Sequence, residues 1–591
     1  MSQAPAAALD TRSRALLVFC AVAVAFAAVD TYVVVLALPD MMGSVGISVE
    51  QLQKAAPIVS GFLLGYVAML PLIGRIADLR GPVPVLTASL VTFAVGSVVT
   101  ALAYDLPSMV LGRFLQGVGG GGLVPATMAL VGALYPVERR GLPLGLVSAV
   151  QEFGSVLGPL FGAAVLAFTS WRGIFAINAA AGVLLWVVVR ALRTRDDATT
   201  DPEPVDGRRG LPDLLGLLAL LVALVAGYLT VRPPGSLYTD LTWGEYFIPV
   251  IEDGGRWTWP VGLLAAGAFV VLCLRCVFAR RPLFDVRSWG RSLVAADLTG
   301  AVLLALALAG VVLAFATADP AVSVFSPQGP WLLAGSAVAV VALVVHLRRA
   351  SDPVVPRGAL GATAAWGSLA VSVLVGWALI AALVDIPLFA RTTVFRDSQL
   401  DAALVLLRFL VALPIGAVIG GLLVRRLPAG LITAVGMVVS SAAFWWMSTW
   451  GETSLESFVS NVPLVLGGLG FGLALAPVNA AMLATTRADT HGVASALVVV
   501  ARMVGMLVGI SVLTTWGLRR LNEAKDSNPP GACVDDAASR ACLRALGVLQ
   551  EQAVFQGAAA FALLAAVLAL VLFRGAPTRG VDTGATLQRL G

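Results

Sequence analysis

Along the chain, charged and polar residues fall in short clusters between apolar stretches of about 20 residues, the length a helix needs to cross a hydrocarbon core. Sixteen spanning helices are predicted, at about 15–38, 56–75, 84–103, 107–129, 141–167, 172–192, 212–230, 259–279, 291–316, 330–347, 362–390, 400–424, 429–449, 458–485, 492–516 and 549–573. The first follows Arg12 and Arg14 but is too long for a signal peptide and lacks a small-residue cleavage site, so it reads as a retained helix. With the N-terminus inside, the inside loops hold more than twice as many lysines and arginines as the outside loops. An even number of spans with both termini cytoplasmic follows; fourteen is the alternative count.

Composition narrows the class further. The 591 residues are 59% hydrophobic and 12% charged, against about 45–50% and 25% in soluble domains. A soluble enzyme, a disordered regulator and a nucleic-acid binder are excluded. The net charge of +5 is loop charge rather than a nucleic-acid surface. Two outside loops are long. Residues 231–258 carry Tyr238, Trp243, Tyr246 and Trp257, suited to the membrane interface. Residues 517–548 carry Cys533 and Cys542, either a disulfide or two free thiols. Cys273 and Cys276 read as buried thiols rather than a metal or redox site, and Cys20 as a core residue.

The chain carries an internal duplication. Val29-Asp30-Thr31 is matched by Val384-Asp385-Ile386. The turn Gly74-Arg75-Ile76-Ala77-Asp78 is matched by the segment from Gly421 to Arg425 and Arg426. Glu152 with Gly154 and Gly158 is matched by Arg502 with Gly505 and Gly509. The predicted division is a six-helix half over 1–193, a linker with about four extra spans over 194–357, and a second half over 358–591. The linker spans are almost wholly aliphatic, with Asp297 as their one deep acid, and are expected at the edge of the two halves.

These features bring a resemblance into view. Gly74-Arg75-Ile76-Ala77-Asp78-Leu79-Arg80-Gly81 resembles the loop signature of the major facilitator superfamily, without its usual basic residue after Asp78. Arg113-Phe114-Leu115-Gln116-Gly117 is similar to the fourth-helix pattern. Gly154, Gly158, Pro159 and Gly162 are similar to the fifth-helix antiporter motif. Asp30-Thr31 with Ala37-Leu38-Pro39, and Trp171-Arg172 with Asn178, resemble the drug:proton antiporter branch that has extra central helices. More narrowly, Ala28 to Val35, Gln151 to Leu160, Leu407 to Pro414 and His491 to Met503 resemble the mycobacterial triacylglyceride exporters. That resemblance implies an all-α major facilitator fold and proton-coupled export of lipid or lipophilic compounds from the inner membrane. It also implies work with a periplasmic lipid-carrying lipoprotein. This chain departs from those exporters in its linker, which has four predicted helices rather than two. Drug cargo is the alternative; a non-transporting scaffold or receptor and an uptake carrier are weaker ones.

Charges within spans are costly and mark function by default. Asp30, Arg113, Glu152, Asp385, Arg408 and Arg502 are the candidates. A Glu152–Arg408 pair across the halves is expected, and Asp30 is expected to meet Arg502 or Arg113. The alternative for each is static ion pairing. The glycines of the fourth and fifth spans read either as a flexible gate between the halves or as ordinary helix packing, with the resemblance favouring the gate. Asp78 is expected to latch a helix N-terminus. No phosphate-cradling loop is present, and with two histidines the chain offers no metalloenzyme motif. The expectation is therefore no enzyme, no metal and no cofactor beyond a proton gradient, in a monomer whose partners are membrane lipids and lipophilic molecules.

Overall fold

The computed structural model describes residues 11–47, 52–134, 141–192, 213–240, 242–251, 255–279, 282–316, 326–351, 360–395, 398–424, 426–486, 491–526 and 536–576, with 353, 355 and 578. Its long helices are α1 (Thr11–Ser44), α2 (Leu52–Arg80), α3 (Pro82–Leu102), α4 (Leu106–Leu134), α5 (Gly141–Phe168), α6 (Trp171–Leu192), α7 (Leu214–Val231), α8 (Pro260–Phe278), α9 (Val286–Ala295), α10 (Leu298–Ala316), α11 (Gly329–Arg349), α12 (Thr363–Thr392), α13 (Gln399–Leu423), α14 (Ala429–Met447), α15 (Asn461–Ala484), α16 (His491–Asp526) and α17 (Asp536–Leu572). There is no β-strand among the described residues.

Among the described residues, fifteen helices contain a stretch long and apolar enough to cross a membrane. α5, 28 residues long, occupies the remaining predicted segment. One span is shorter than expected. The segment from 291 breaks into α9 and α10 at Asp297, whose φ is 62°. The Asp297 carboxylate accepts from the Gly300 amide at 2.9 Å, as an N-cap does. The acid thus starts α10 rather than lying deep within it.

The contact pattern repeats between the two sets of six helices. α1 packs on α4, α5 and α6, while α4 packs on α2 and α3, and α3 on α6. α12 packs on α15, α16 and α17, while α15 packs on α13 and α14, and α14 on α17. Two crossings related by the same symmetry, α5 on α13 and α2 on α16, join the halves, with a smaller contact of α4 on α16. The turn between α2 and α3 and the close of α1 lie at opposite ends of the bundle. The basal end holds the α2–α3 turn, and the distal end holds the close of α1.

The linker helices sit outside this body. α10 packs on α2 and α16, and α11 packs on α10, where Ser336 Oγ donates to the Ala307 carbonyl at 2.5 Å. α7 and α8 pair with each other. In these four spans 17–33% of the residues are buried, against 39% or more in the other eleven. Many of their leucines and valines are exposed, as a helix facing lipid requires.

Candidate functional site

The first half buries one compact polar cluster. Asp30 on α1 and Arg113 on α4 are both fully buried, and Arg113 Nη1 lies 2.6 Å from Asp30 Oδ2. Asn178 Nδ2 on α6 donates to Asp30 Oδ1 at 2.5 Å. Gln116, one turn after Arg113, donates to Asp30 Oδ1 at 3.4 Å and to Ser97 Oγ of α3 at 2.9 Å. Its own Oε1 accepts from Arg113 at 3.0 Å and from Thr100 at 3.2 Å. The guanidinium carbon lies 4.4 Å from the centre of the Phe62 ring of α2. Three helices, α1, α4 and α6, therefore meet at one carboxylate, α2 and α3 bracing Arg113 and Gln116 behind it, and the cation–π face gives Arg113 a second stabilising contact in an apolar setting.

The resemblance pointed to Asp30, Arg113, Gln116 and Asn178; Ser97 and Thr100 were silent in sequence, because hydroxyls on apolar helices usually bond their own backbone. Of the two partners expected for Asp30, the structure selects Arg113. Arg502 is half-buried on α16, the helix that crosses α2. Arg408 is half-buried on α13, and Glu152 stands on α5, which packs on α13. The Glu152, Asp78 and Pro159 side chains and all of Arg425 lie outside the described residues, as do Cys533 and the Cys542 side chain. Arg426 is exposed between α13 and α14. Of the paired thiols, Cys276 is buried but Cys273 is exposed, because it faces outward on the lipid-facing α8.

The glycines settle into packing roles inside the first half. A methyl at Gly117 would overlap the Phe62 carbonyl oxygen of α2, and one at Gly119 would overlap the Phe93 backbone of α3. At Gly154 it would lie 2.6 Å from the Ala25 carbonyl oxygen, and at Gly162 2.9 Å from Val33, both on α1. Gly158 is buried on the same helix. The glycine face of α5 thus turns to α1 of its own half, not to α13 across the interface. Gly74 has looser surroundings, its nearest neighbour being Pro125. Gly81 adopts φ 83° between α2 and α3, a left-handed conformation that favours glycine.

These contacts also set the register between halves. Gly154 rests on Ala25, and Gly505 rests on Val373. Counting along α1 and α12, the counterpart of Asp30 is Ala378, not Asp385. Asp385 stands seven residues further on, about 10 Å nearer the distal end. Likewise Gly117 rests on Phe62 and Gly468 on Phe409, so Leu464, buried, occupies the place of Arg113. The ion pair exists in one half alone. Asp385 instead meets Glu551 of α17, a residue the sequence placed at a helix boundary; α17 begins at Asp536 and carries it four turns inside.

A family model described as Major Facilitator Superfamily matches residues 18–355. A triacylglyceride transporter of Mycolicibacterium hassiacum is 33% identical over 85% of this chain and 78% of its own. One of Mycobacterium tuberculosis is 34% identical over 90% and 88%. The solved structure of peptide transporter POT in complex with sulfate has a similar fold, with a TM-score of 0.53 at 14% identity, covering 95% of this chain and 94% of that one. With over half its length matched by that model and relatives above 30% identity along most of it, the chain belongs to the Major Facilitator Superfamily of transporters.

Proposed function

We propose that the protein is a proton-coupled secondary exporter of triacylglyceride-like lipid or other lipophilic compounds, working by alternating access from the inner membrane with its basal end cytoplasmic. The observation that carries this reading is the Asp30–Arg113 pair, 0% exposed on both sides. With Asp30 ionised, the pair is neutral overall. Protonation of Asp30 leaves the Arg113 cation buried without a counter-ion, and an arginine cannot shed its charge. An uncompensated buried charge costs several kcal/mol. Asp30 therefore takes its proton together with a movement that re-partners Arg113, and that movement is what alternates access. Gln116 and Asn178 hold the carboxylate in place between events.

Cargo class rests on the relatives, which are named triacylglyceride transporters, and on the apolar linker helices, which offer lipid a lateral approach. Direction rests on the resemblance of the fifth helix to antiporters. A lipid-carrying lipoprotein on the distal side is the partner this reading calls for. The test is transport of fluorescent triacylglyceride out of vesicles under an imposed pH gradient. Wild type moves the lipid only with the gradient, and Asp30→Asn inserts normally but moves none. Gradient-independent transport, or wild-type transport by Asp30→Asn, overturns the proposal.

A further inference from the structure

The second half buries a pair of acids that the Asp30 mechanism does not use. Asp385 is 8% exposed and Glu551 2%, and the two carboxyls stand within reach of each other where α12 packs on α17. Glu551 Oε2 is sealed from solvent and no N–H or O–H of a neighbouring group reaches it. Around them the wall is aromatic: the Phe389 and Phe555 rings lie 6.2 Å apart, and Trp450 stands 6.1 Å from Phe555.

Among the described residues no cation acts on either carboxyl. α14 and α15 carry no charged residue. The described charges on the other packed helices are Arg391 on α12, Asp401 and Arg408 on α13, and Arg502, Arg519, Arg520 and Glu523 on α16. None of these is among the groups acting on either carboxyl. The place Arg113 takes in the first half is filled here by Leu464.

Carboxylates only accept hydrogen bonds, so two neighbouring carboxyls can bond each other only when one of them carries an O–H. Ionising both would hold two like charges in contact within an apolar, water-excluded site. We propose that Asp385 and Glu551 form a second proton-binding site, in which one proton is shared between the two side chains. Binding makes one O–H bond on a carboxylate oxygen and takes the pair from two negative charges to one. Release returns the proton to water and leaves two carboxylates. The proton belongs to the pair rather than to either residue. The site differs from Asp30 in lacking a cation and in standing about 10 Å nearer the distal end, by seven residues of helix rise. Its part in coupling rests on the proposed function; its proton occupancy does not.

The experiment is infrared difference spectroscopy of the full chain in lipid nanodiscs, between neutral and alkaline buffer, in sodium chloride and in choline chloride. Wild type is expected to carry a protonated-carboxyl band at neutral pH that shifts in deuterium oxide. Glu551→Gln and Asp385→Asn should each lose it, while Asp30→Asn keeps it. Glutamine can still bond Asp385, so Glu551→Gln preserves the shape of the site, and Asp385→Asn gives an independent reading. Absence of the band in wild type, or its survival in both pair variants, overturns the proposal. So does a band present in choline and lost in sodium, which would make this a cation site. Failure of proton-driven transport in vesicles leaves the band in place, so the two readings fail separately.

Discussion

Asp30 and Arg113 are both sealed from solvent, yet their removal has unequal consequences. Arg113→Leu leaves an acid that can neutralise itself by taking a proton. Asp30→Leu leaves a guanidinium that cannot. Asp30→Leu is therefore expected to cost about 3–5 kcal/mol of stability, with Arg113→Leu costing clearly less and the double variant recovering part of the loss. Thermal unfolding in detergent ranks the three; a larger loss for Arg113→Leu would contradict the argument. The glycines make a second residue-scale test. Gly117→Ala must push α4 off α2, because its methyl meets main chain rather than a side-chain tip. Overpacking of this kind costs about 1–3 kcal/mol. Gly74→Ala, 3.6 Å from Pro125, should melt like wild type. The sequence made Asp30 and Arg113 legible as charges in apolar runs, but it offered Arg502 equally as a partner. Distance across helices, not spacing along the chain, made the choice.

At the scale of the element, the linker is attached by polar contacts at helix ends. Arg80 at the basal end of α2 donates to Ser288 and to Ser292, the latter at 2.6 Å, and stacks 4.5 Å from the Trp289 ring. These three residues lie on α9, so Arg80→Ala should free that helix, seen as faster hydrogen exchange over 286–295 and none gained in α2 itself. α7 is fastened to α8 by Arg275, whose Nη2 lies 2.5 Å from Asp213 Oδ1. These hydrogen bonds, with one from the Gly216 amide, hold the Asp213 carboxyl below the usual carboxylate range. A depressed folded-state value contributes stability that is present above the ordinary aspartate pKa, near ~3.9, and lost as pH falls through the folded value. The melting-temperature gap between wild type and Asp213→Asn should therefore be constant from neutral pH to about 4 and close below it. A gap that widens in acid would contradict the assignment. At the distal end, Arg256 donates to the Val231 carbonyl at 2.8 Å and stacks 4.8 Å from Tyr104. Burial of Tyr104, with Asp105 beside it, raises the phenol above its usual value.

At the scale of the whole molecule, the proposed alternating access requires the α5–α13 and α2–α16 crossings to open by turns. Ala163 of α5 and Ala403 of α13 are buried against each other where the halves meet. Cysteines at both positions should cross-link under oxidation, arrest transport and release it on reduction. Transport undiminished by a complete cross-link would mean that this crossing never opens. Single cysteines along 214–229 of α7 should react with lipid-phase reagents and not with membrane-impermeant ones, since Leu214, Leu217, Leu221 and Leu224 are exposed on a helix outside the transport body.

The sequence by itself determined the spanning helices, the duplication and the set of charges inside the membrane. The spans and the buried charges depend on local hydropathy, which a run of about 20 residues carries without reference to the rest of the chain, and the duplication shows as motifs repeated along it. Tertiary structure decided the partners. A one-dimensional match aligned Asp30 with Asp385, but the seating of Gly154 on Ala25 and Gly505 on Val373 makes Ala378 the true counterpart. It also turned the glycine face of α5 toward α1 rather than toward the other half. Glu551 falls two residues inside the predicted 549–573 span, and α17, extended back to Asp536, carries it further inside against Asp385. Register between helices is set by which side chains interlock, and a chain's own periodicity fixes which face is apolar without fixing what that face will meet.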